Sequence, residues 1–198
     1  ENTAVGGLAL NSNTTSSGNT AIGRASLYSN SIGEDNTAVG KNSLFSNTGG
    51  FYNTAVGKNS LFNNTATANT AVGFEAGFSN TSANYVTAIG YQALRNSTGE
   101  GNTALGFLSG NAITTGTFNT AMGSGVMNST TTGAENTVFG GAALYNNVSG
   151  NANTAIGRLA LFNNTASNNT AVGYEAGLIN TSGVAITAIG YQALRNST

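Results

Sequence analysis

The 198-residue sequence contains no cysteine, histidine, proline or tryptophan, and only 7% of its residues are charged. Without cysteine, the chain has neither a disulfide framework nor thiol chemistry. The common nucleophile–base pairs of enzymes and the soft metal ligands also require cysteine or histidine. We therefore expect a protein that is not an enzyme, with no catalytic residues, no cofactor and no metal site.

Charge is equally scarce: six Lys and Arg stand against seven Asp and Glu, for a formal net charge of −1. The basic residues are spread over the whole chain, so we expect no binding to nucleic acid or anionic lipid. There is no signal peptide and no run of about eighteen apolar residues, so we expect no processing of this segment and no membrane insertion.

The carboxylates do not form a convincing cluster either. Glu34 and Asp35 adjoin in one turn, and a single Asp cannot supply the calcium ligands of a β-roll in which every turn needs one. We interpret the carboxylates as solvated turn charges. We likewise expect the residues that vary between repeats to be isolated surface side chains, among them Arg24, Lys41, Glu75 and Arg95.

What the chain has instead is a five-residue motif, Asn-Thr-Ala-aliphatic-Gly, that returns twelve times at intervals of sixteen or seventeen residues. Such a short unit cannot form a domain alone and must bury its apolar side against its neighbours. Gly, Asn and β-branched residues recur in every unit, and they disfavour helix. Short strands separated by turns are therefore predicted.

One unit shows the expected geometry. Thr87 and Ile89 share one face of a strand while Ala88 points to the other, and Gly90 ends the strand with a positive φ or a close backbone approach. A second short segment follows, usually Ala or Ser and then Leu, and a turn rich in Asn, Ser, Thr and Gly closes the coil. Stacked at strand spacing, twelve coils would form a rod roughly 55 Å long.

The sequence thus predicts an all-β fold, a parallel β-solenoid (β-roll) of twelve coils of 16–17 residues. Residues 1–198 form one repeat array of two six-coil blocks, 1–100 and 101–198, because residue n matches residue n+100 and the stretches 87–98 and 187–198 are identical. We expect this array to be an excerpt of a longer one. The structural ladder is expected to include Thr20, Ile22, Gly23, Thr54, Val56, Gly57, Thr87, Ile89, Gly90, Thr187, Ile189 and Gly190.

Two further ladders follow from stacking. Asn opens ten of the twelve motifs, replaced by Val86 and Ile186, and its amides are expected to hydrogen-bond along the rod. The aliphatic residue of each motif would form an outward apolar line larger than soluble monomers usually expose. We expect copies of the chain to cover it, with coils from several chains around a common axis and central contacts at Ile22, Val56, Ile89, Ile156 and Ile189.

The motifs at 19–23 (NTAIG) and 186–194 (ITAIGYQAL) resemble the head repeats of trimeric autotransporter adhesins and, more closely, repeats in phage tail fibres and surface fibres that end in a self-cleaving chaperone domain. The resemblance implies a parallel β-roll shared among three chains. It also implies a structural or adhesive region of an extracellular, cell-surface or virion fibre, acting in multivalent attachment. The implied partners are further copies of the chain and host-surface glycans or proteins.

The main alternative is a monomeric solenoid that binds ice or another surface through its Thr-x-Val/Ile ladder. Two smaller alternatives concern aromatic residues and sequons. Regularly spaced aromatics could stack on carbohydrate, although we expect them to be core: Tyr28, Phe45, Phe62, Phe78, Tyr145 and Phe162. Glycosylation sequons are frequent in so Asn- and Thr-rich a chain and occur at Asn13, Asn63, Asn80, Asn96, Asn128, Asn147, Asn163, Asn168, Asn180 and Asn196.

Overall fold

The computed structural model describes residues 1–196 and confirms an all-β, parallel solenoid. Ser197 and Thr198, which end the repeated stretch 187–198 and the sequon at Asn196, lie outside the described residues. The strands pair in parallel in chain order. They are β1 Thr3–Val5, β2 Thr20–Ile22, β3 Thr37–Val39, β4 Thr54–Val56, β5 Thr70–Val72, β6 Thr87–Ile89, β7 Thr103–Leu105, β8 Thr120–Met122, β9 Thr137–Phe139, β10 Thr154–Ile156, β11 Thr170–Val172 and β12 Thr187–Ile189.

Each strand stacks on the next with like residues in register. Between β3 and β4, Thr37 pairs with Thr54 and Val39 pairs with Val56. The backbone bonds run along the rod, since Thr37 N–H donates to Asn53 O over 2.8 Å and Gly40 N–H donates to Ile22 O over 2.7 Å. Three residues are therefore enough for a strand, because each strand from β2 to β11 has a partner on both sides.

The motif glycine fulfils both of the roles expected of it. Gly40 has φ +129°, and a Cβ built on it would lie 2.7 Å from the carbonyl carbon and oxygen of Gly57 in the next coil. An L side chain is therefore excluded by backbone conformation and by space at once. This glycine turns the chain out of the strand while keeping neighbouring coils close.

The second segment is not a strand but a series of turns with left-handed residues at every other position. Ala25 has φ +55° and Leu27 has φ +48°, and their equivalents in the other coils behave alike. Such φ values are uncommon for Ala and Leu, and each costs roughly 1–2 kcal/mol. Bonds between coils offset that cost: Ala25 N–H donates to Gly7 O and Leu27 N–H donates to Ser43 O, each over 3.0 Å.

The core lies between these two segments. The strand alanine and the leucine of the second segment are fully buried in the middle coils, as at Ala38 and Leu44. The inward strand position therefore packs against the Ala/Ser-Leu segment of the same chain. The other strand positions, Thr and the aliphatic residue, are left on the outside.

Candidate functional site

The outer side of the sheet carries the strand Thr column and the strand aliphatic column, together called here the Thr/aliphatic face. Its aliphatic residues stay partly exposed even in coils with neighbours on both sides: Ile22 is 40% exposed, Leu105 43% and Ile156 39%. Burying such side chains from water is favourable by about 25 cal/mol per Å². A continuous apolar line of this kind is therefore a candidate contact surface.

The structural-ladder residues named from the sequence fall into three columns on or beside this face. Thr20, Thr54, Thr87 and Thr187 lie in the Thr column, and Ile22, Val56, Ile89 and Ile189 lie in the aliphatic column. Gly23, Gly57, Gly90 and Gly190 end the same strands, all at positive φ. The strands bring these residues together as a surface rather than as a pocket.

The expected amide ladder is confirmed, and it lies inside the rod. Asn36 is fully buried; its side-chain amide donates to Asn19 Oδ1 over 3.1 Å and to Gly50 O over 2.8 Å. In turn, Asn36 Oδ1 accepts from both the backbone and the side chain of Asn53. Where Val86 interrupts the ladder, its backbone N–H still donates to Asn69 Oδ1 over 2.8 Å. Each amide therefore ties one coil to the next.

Sequence reasoning missed a second buried amide ladder in the closing turns. Asn47 Nδ2 donates to Asn30 Oδ1 and to Gly50 O, each over 3.0 Å. The signal was the fixed position of these Asn, three residues after the second-segment leucine or its equivalent. The sequons at Asn80, Asn147 and Asn180 belong to this ladder and are buried, so the folded chain cannot be glycosylated there.

The regularly spaced aromatics neither fill the core nor offer a carbohydrate platform. Tyr28, Phe45, Phe62 and Phe78 are half-buried and stack face to face, with ring centroids 4.9, 5.0 and 5.2 Å apart. Each inner ring face is covered by the next ring, so only ring edges meet solvent. The rings therefore pack between adjacent coils, as expected, but are half-buried in the single chain, and the ring faces inside the stack are closed to a sugar.

Two of the residues expected to be isolated surface side chains, Glu75 and Arg95, are instead paired with each other. Arg95 Nε donates to Glu75 Oε2 over 2.7 Å, and Gln92 Nε2 donates to the same oxygen over 3.0 Å. The Arg95 bond lowers the pKa of Glu75 below its usual 4.5. Glu175 and Arg195 repeat the pair one block later, again at 2.7 Å.

Residues 1–196 contain no cavity and no group of three or more acidic side chains that could hold a metal ion. No helix in this part of the chain is long and apolar enough to cross a membrane. Comparison with protein-family models, curated proteins and solved structures gave no match. Any functional inference must therefore start from the exposed surface.

Proposed function

We propose that this chain is the structural and adhesive repeat region of an extracellular, cell-surface or virion fibre, in which copies of the chain assemble as a homotrimer. The observation that carries the proposal is the aliphatic column, completed by Phe139 in β9, which runs through all twelve strands and is partly or fully exposed in the single chain. Soluble monomers seldom leave contiguous apolar patches beyond a few hundred Å² uncovered.

A second copy of the chain suits this face better than an unrelated partner. The strands repeat the same Thr and aliphatic pair at one spacing, so two or three such faces have matching periods. No ionised side chain lies within the strands, so no charge would be buried when the faces meet. The resulting rod would have a dry seam.

Adhesion in such a fibre would come from repetition. With no concave site in residues 1–196, any ligand must contact the outer turns and second segments. Contacts that are weak at one coil gain strength when many coils and several chains engage one surface together. Host-surface glycans or proteins are the proposed ligands, and no cofactor or catalysis is required.

Solution mass tests the assembly. Light scattering coupled to size exclusion should give about three times the chain mass of 19.8 kDa for the unmodified protein. The double variant Val56→Asp/Ile89→Asp should dissociate, because charges in the seam cost several kcal/mol each. The double variant Thr48→Asp/Thr81→Asp, at exposed turn residues, is the matched control and should leave the mass unchanged. A monomeric unmodified protein would overturn the proposal.

One observation favours a second candidate, a monomeric solenoid that binds ice. The Thr column is in register along an uncovered parallel sheet, so hydroxyl and methyl groups repeat at strand spacing, about 4.8 Å. Such a regular array could order water at its surface. Measurable thermal hysteresis from the purified monomer, abolished by Thr54→Tyr/Thr87→Tyr, would select this function over the fibre.

A further inference from the structure

The charges of the chain are sorted by sign on either side of the Thr/aliphatic face. Of seven carboxylates and six cations, two of each form the Glu75–Arg95 and Glu175–Arg195 bridges. The remaining four cations all lie two residues after a strand, forming a basic edge of Arg24, Lys41, Lys58 and Arg158. The remaining five carboxylates all lie two or three residues before a strand, forming an acidic edge of Glu1, Glu34, Asp35, Glu100 and Glu135.

All nine of these side chains are exposed, and none forms an ion pair within residues 1–196. In one coil the two edges are separated by the width of the sheet. The three-residue strand between Asp35 and Lys41 is by itself about 10 Å long, which exceeds the screening length of about 8 Å at physiological salt, and the six steps between the two residues reach at most about 20 Å. Attraction between the two edges of one chain therefore does not explain why the signs are separated. Within the chain, two cations of the basic edge lie over aromatic rings, and not beside a carboxylate of the acidic edge: Lys58 over Phe74 and Arg158 over Tyr174.

We propose that the two edges orient and align copies of the chain, so that they pack parallel and in register through the Thr/aliphatic face. This inference rests on the self-association proposed above. Rotation about any axis parallel to the rod places the acidic edge of one copy beside the basic edge of the next. An antiparallel pair places like charges together, which is unfavourable.

The edges also specify the register along the rod. Glu34 and Asp35 precede β3, and the cations Arg24, Lys41 and Lys58 follow β2, β3 and β4. The group of two carboxylates and the group of three cations are therefore both centred on the third coil. In-register packing thus sets two carboxylates of one copy against three cations of its neighbour. In the second half, Glu135 before β9 lies within one coil of Arg158 after β10.

Without the charges, two copies could also pack with one shifted by six coils along the rod, because this shift places every motif beside its equivalent in the other six-coil block. The charges break that equivalence. Residues 124 and 141, the equivalents of Arg24 and Lys41, are Ser and Gly, so a shifted copy would lose two of the three cations opposite Glu34 and Asp35. The apolar face holds the copies together, and the edges choose one alignment among several similar ones.

Charge reversal tests this inference. The basic-edge variant Arg24→Glu/Lys41→Glu/Lys58→Glu and the acidic-edge variant Glu34→Lys/Asp35→Lys should each weaken association at least about tenfold, since each opposes like charges. The variant that carries both sets has complementary edges again and should recover association. The control Thr14→Glu/Thr48→Glu/Thr81→Glu lowers the net charge in the closing turns, outside both edges, and should not weaken association.

A spin label on an uncharged position of the basic-edge column measures orientation without changing any charge of either edge. Gly7→Cys gives the chain a single thiol at a position where a Cβ meets nothing within 4 Å. Parallel, in-register copies should give a distance of about 20 Å between labels, which is the largest separation of the two charged edges. A six-coil shift should give more than about 30 Å, and antiparallel copies about 50 Å.

The outcomes separate this inference from the proposed function. An oligomer with the longer label distances, or one unaffected by reversal of either edge, would overturn the orientation rule and leave self-association standing. A monomeric unmodified chain would overturn both. If a reversed variant fails to fold by circular dichroism, the label distances in the otherwise unmodified protein still decide the orientation.

Discussion

The guanidinium of Arg95 joins the carboxylate of Glu75 to the ring of Phe78. Its Nε donates to Glu75 Oε2 over 2.7 Å, and its Cζ lies 5.1 Å from the ring centroid of Phe78. The cation therefore covers the end of the ring stack that begins at Tyr28. It also bridges neighbouring coils, because Glu75 and Arg95 lie in the turns after β5 and β6.

Arg95→Ala should lower the free energy of unfolding by about 1 kcal/mol, combining a partly exposed ion pair with a cation–π contact. Arg24→Ala is the matched control, because Arg24 is exposed and forms no ion pair within residues 1–196; its effect should stay below about 0.5 kcal/mol. The two substitutions are compared by urea unfolding after each is introduced into a variant that is folded but no longer self-associates. Equal effects would show that the Arg95 contacts add nothing to stability.

Acid should weaken the rod through the same carboxylate. Because the Arg95 hydrogen bond lowers the folded-state pKa of Glu75 below 4.5, this group stabilises the fold fully above pH 4.5. That contribution is lost as the pH falls through the lowered pKa. Melting temperatures measured from pH 7 to pH 3 should fall less steeply in Arg95→Ala than in the unmodified chain. Parallel curves would contradict the assignment.

Two adjacent glycines should differ widely in how much stability the same substitution costs. Gly140 has φ +126° and its Cβ would lie 2.6 Å from Gly157 backbone atoms, whereas a Cβ on Gly141 meets only Ser124 O at 4.0 Å. Gly140→Ala should therefore cost about 2–4 kcal/mol, and Gly141→Ala about 0.5 kcal/mol or less. Denaturant midpoints measure both. Similar midpoints would mean that the motif glycine is not required where the strand ends.

The buried amides should matter more than half-buried ones of the same type. Asn36→Ala leaves the buried Asn53 backbone N–H without its acceptor. It also removes one hydrogen bond each from Asn19 Oδ1, Gly50 O and the Asn53 side-chain amide, and should cost about 2–3 kcal/mol. Asn63 is half-buried, and Asn63→Ala should cost less than about 0.5 kcal/mol. Thermal unfolding of the two variants provides the measurement. A larger loss for Asn63→Ala would contradict the ladder's role.

The period of the motif was enough to predict the strands, their parallel order and the inward Ala, because one spacing repeated twelve times admits few arrangements. It could not predict left-handed Leu27 or Ala25, since those residue types disfavour that conformation and bonds between coils impose it. The basic edge was missed for a simpler reason. Arg24, Lys41 and Lys58 each follow a motif glycine, and only alignment of the coils shows them as neighbours.

The direction of the hydrogen bonds determines how the rod responds to pulling. The backbone bonds that join the coils run along the long axis, while the covalent chain runs around it. Tension between the two ends therefore loads the hydrogen bonds of successive coils in series, without a continuous covalent path along the axis. A coil that peels away releases sixteen or seventeen residues, about 55 Å of extended chain in place of a step of about 4.8 Å. Under tension the single chain should thus unfold one coil at a time from an end. Each coil that unfolds lengthens more than tenfold, so the rod dissipates the applied load in many small steps.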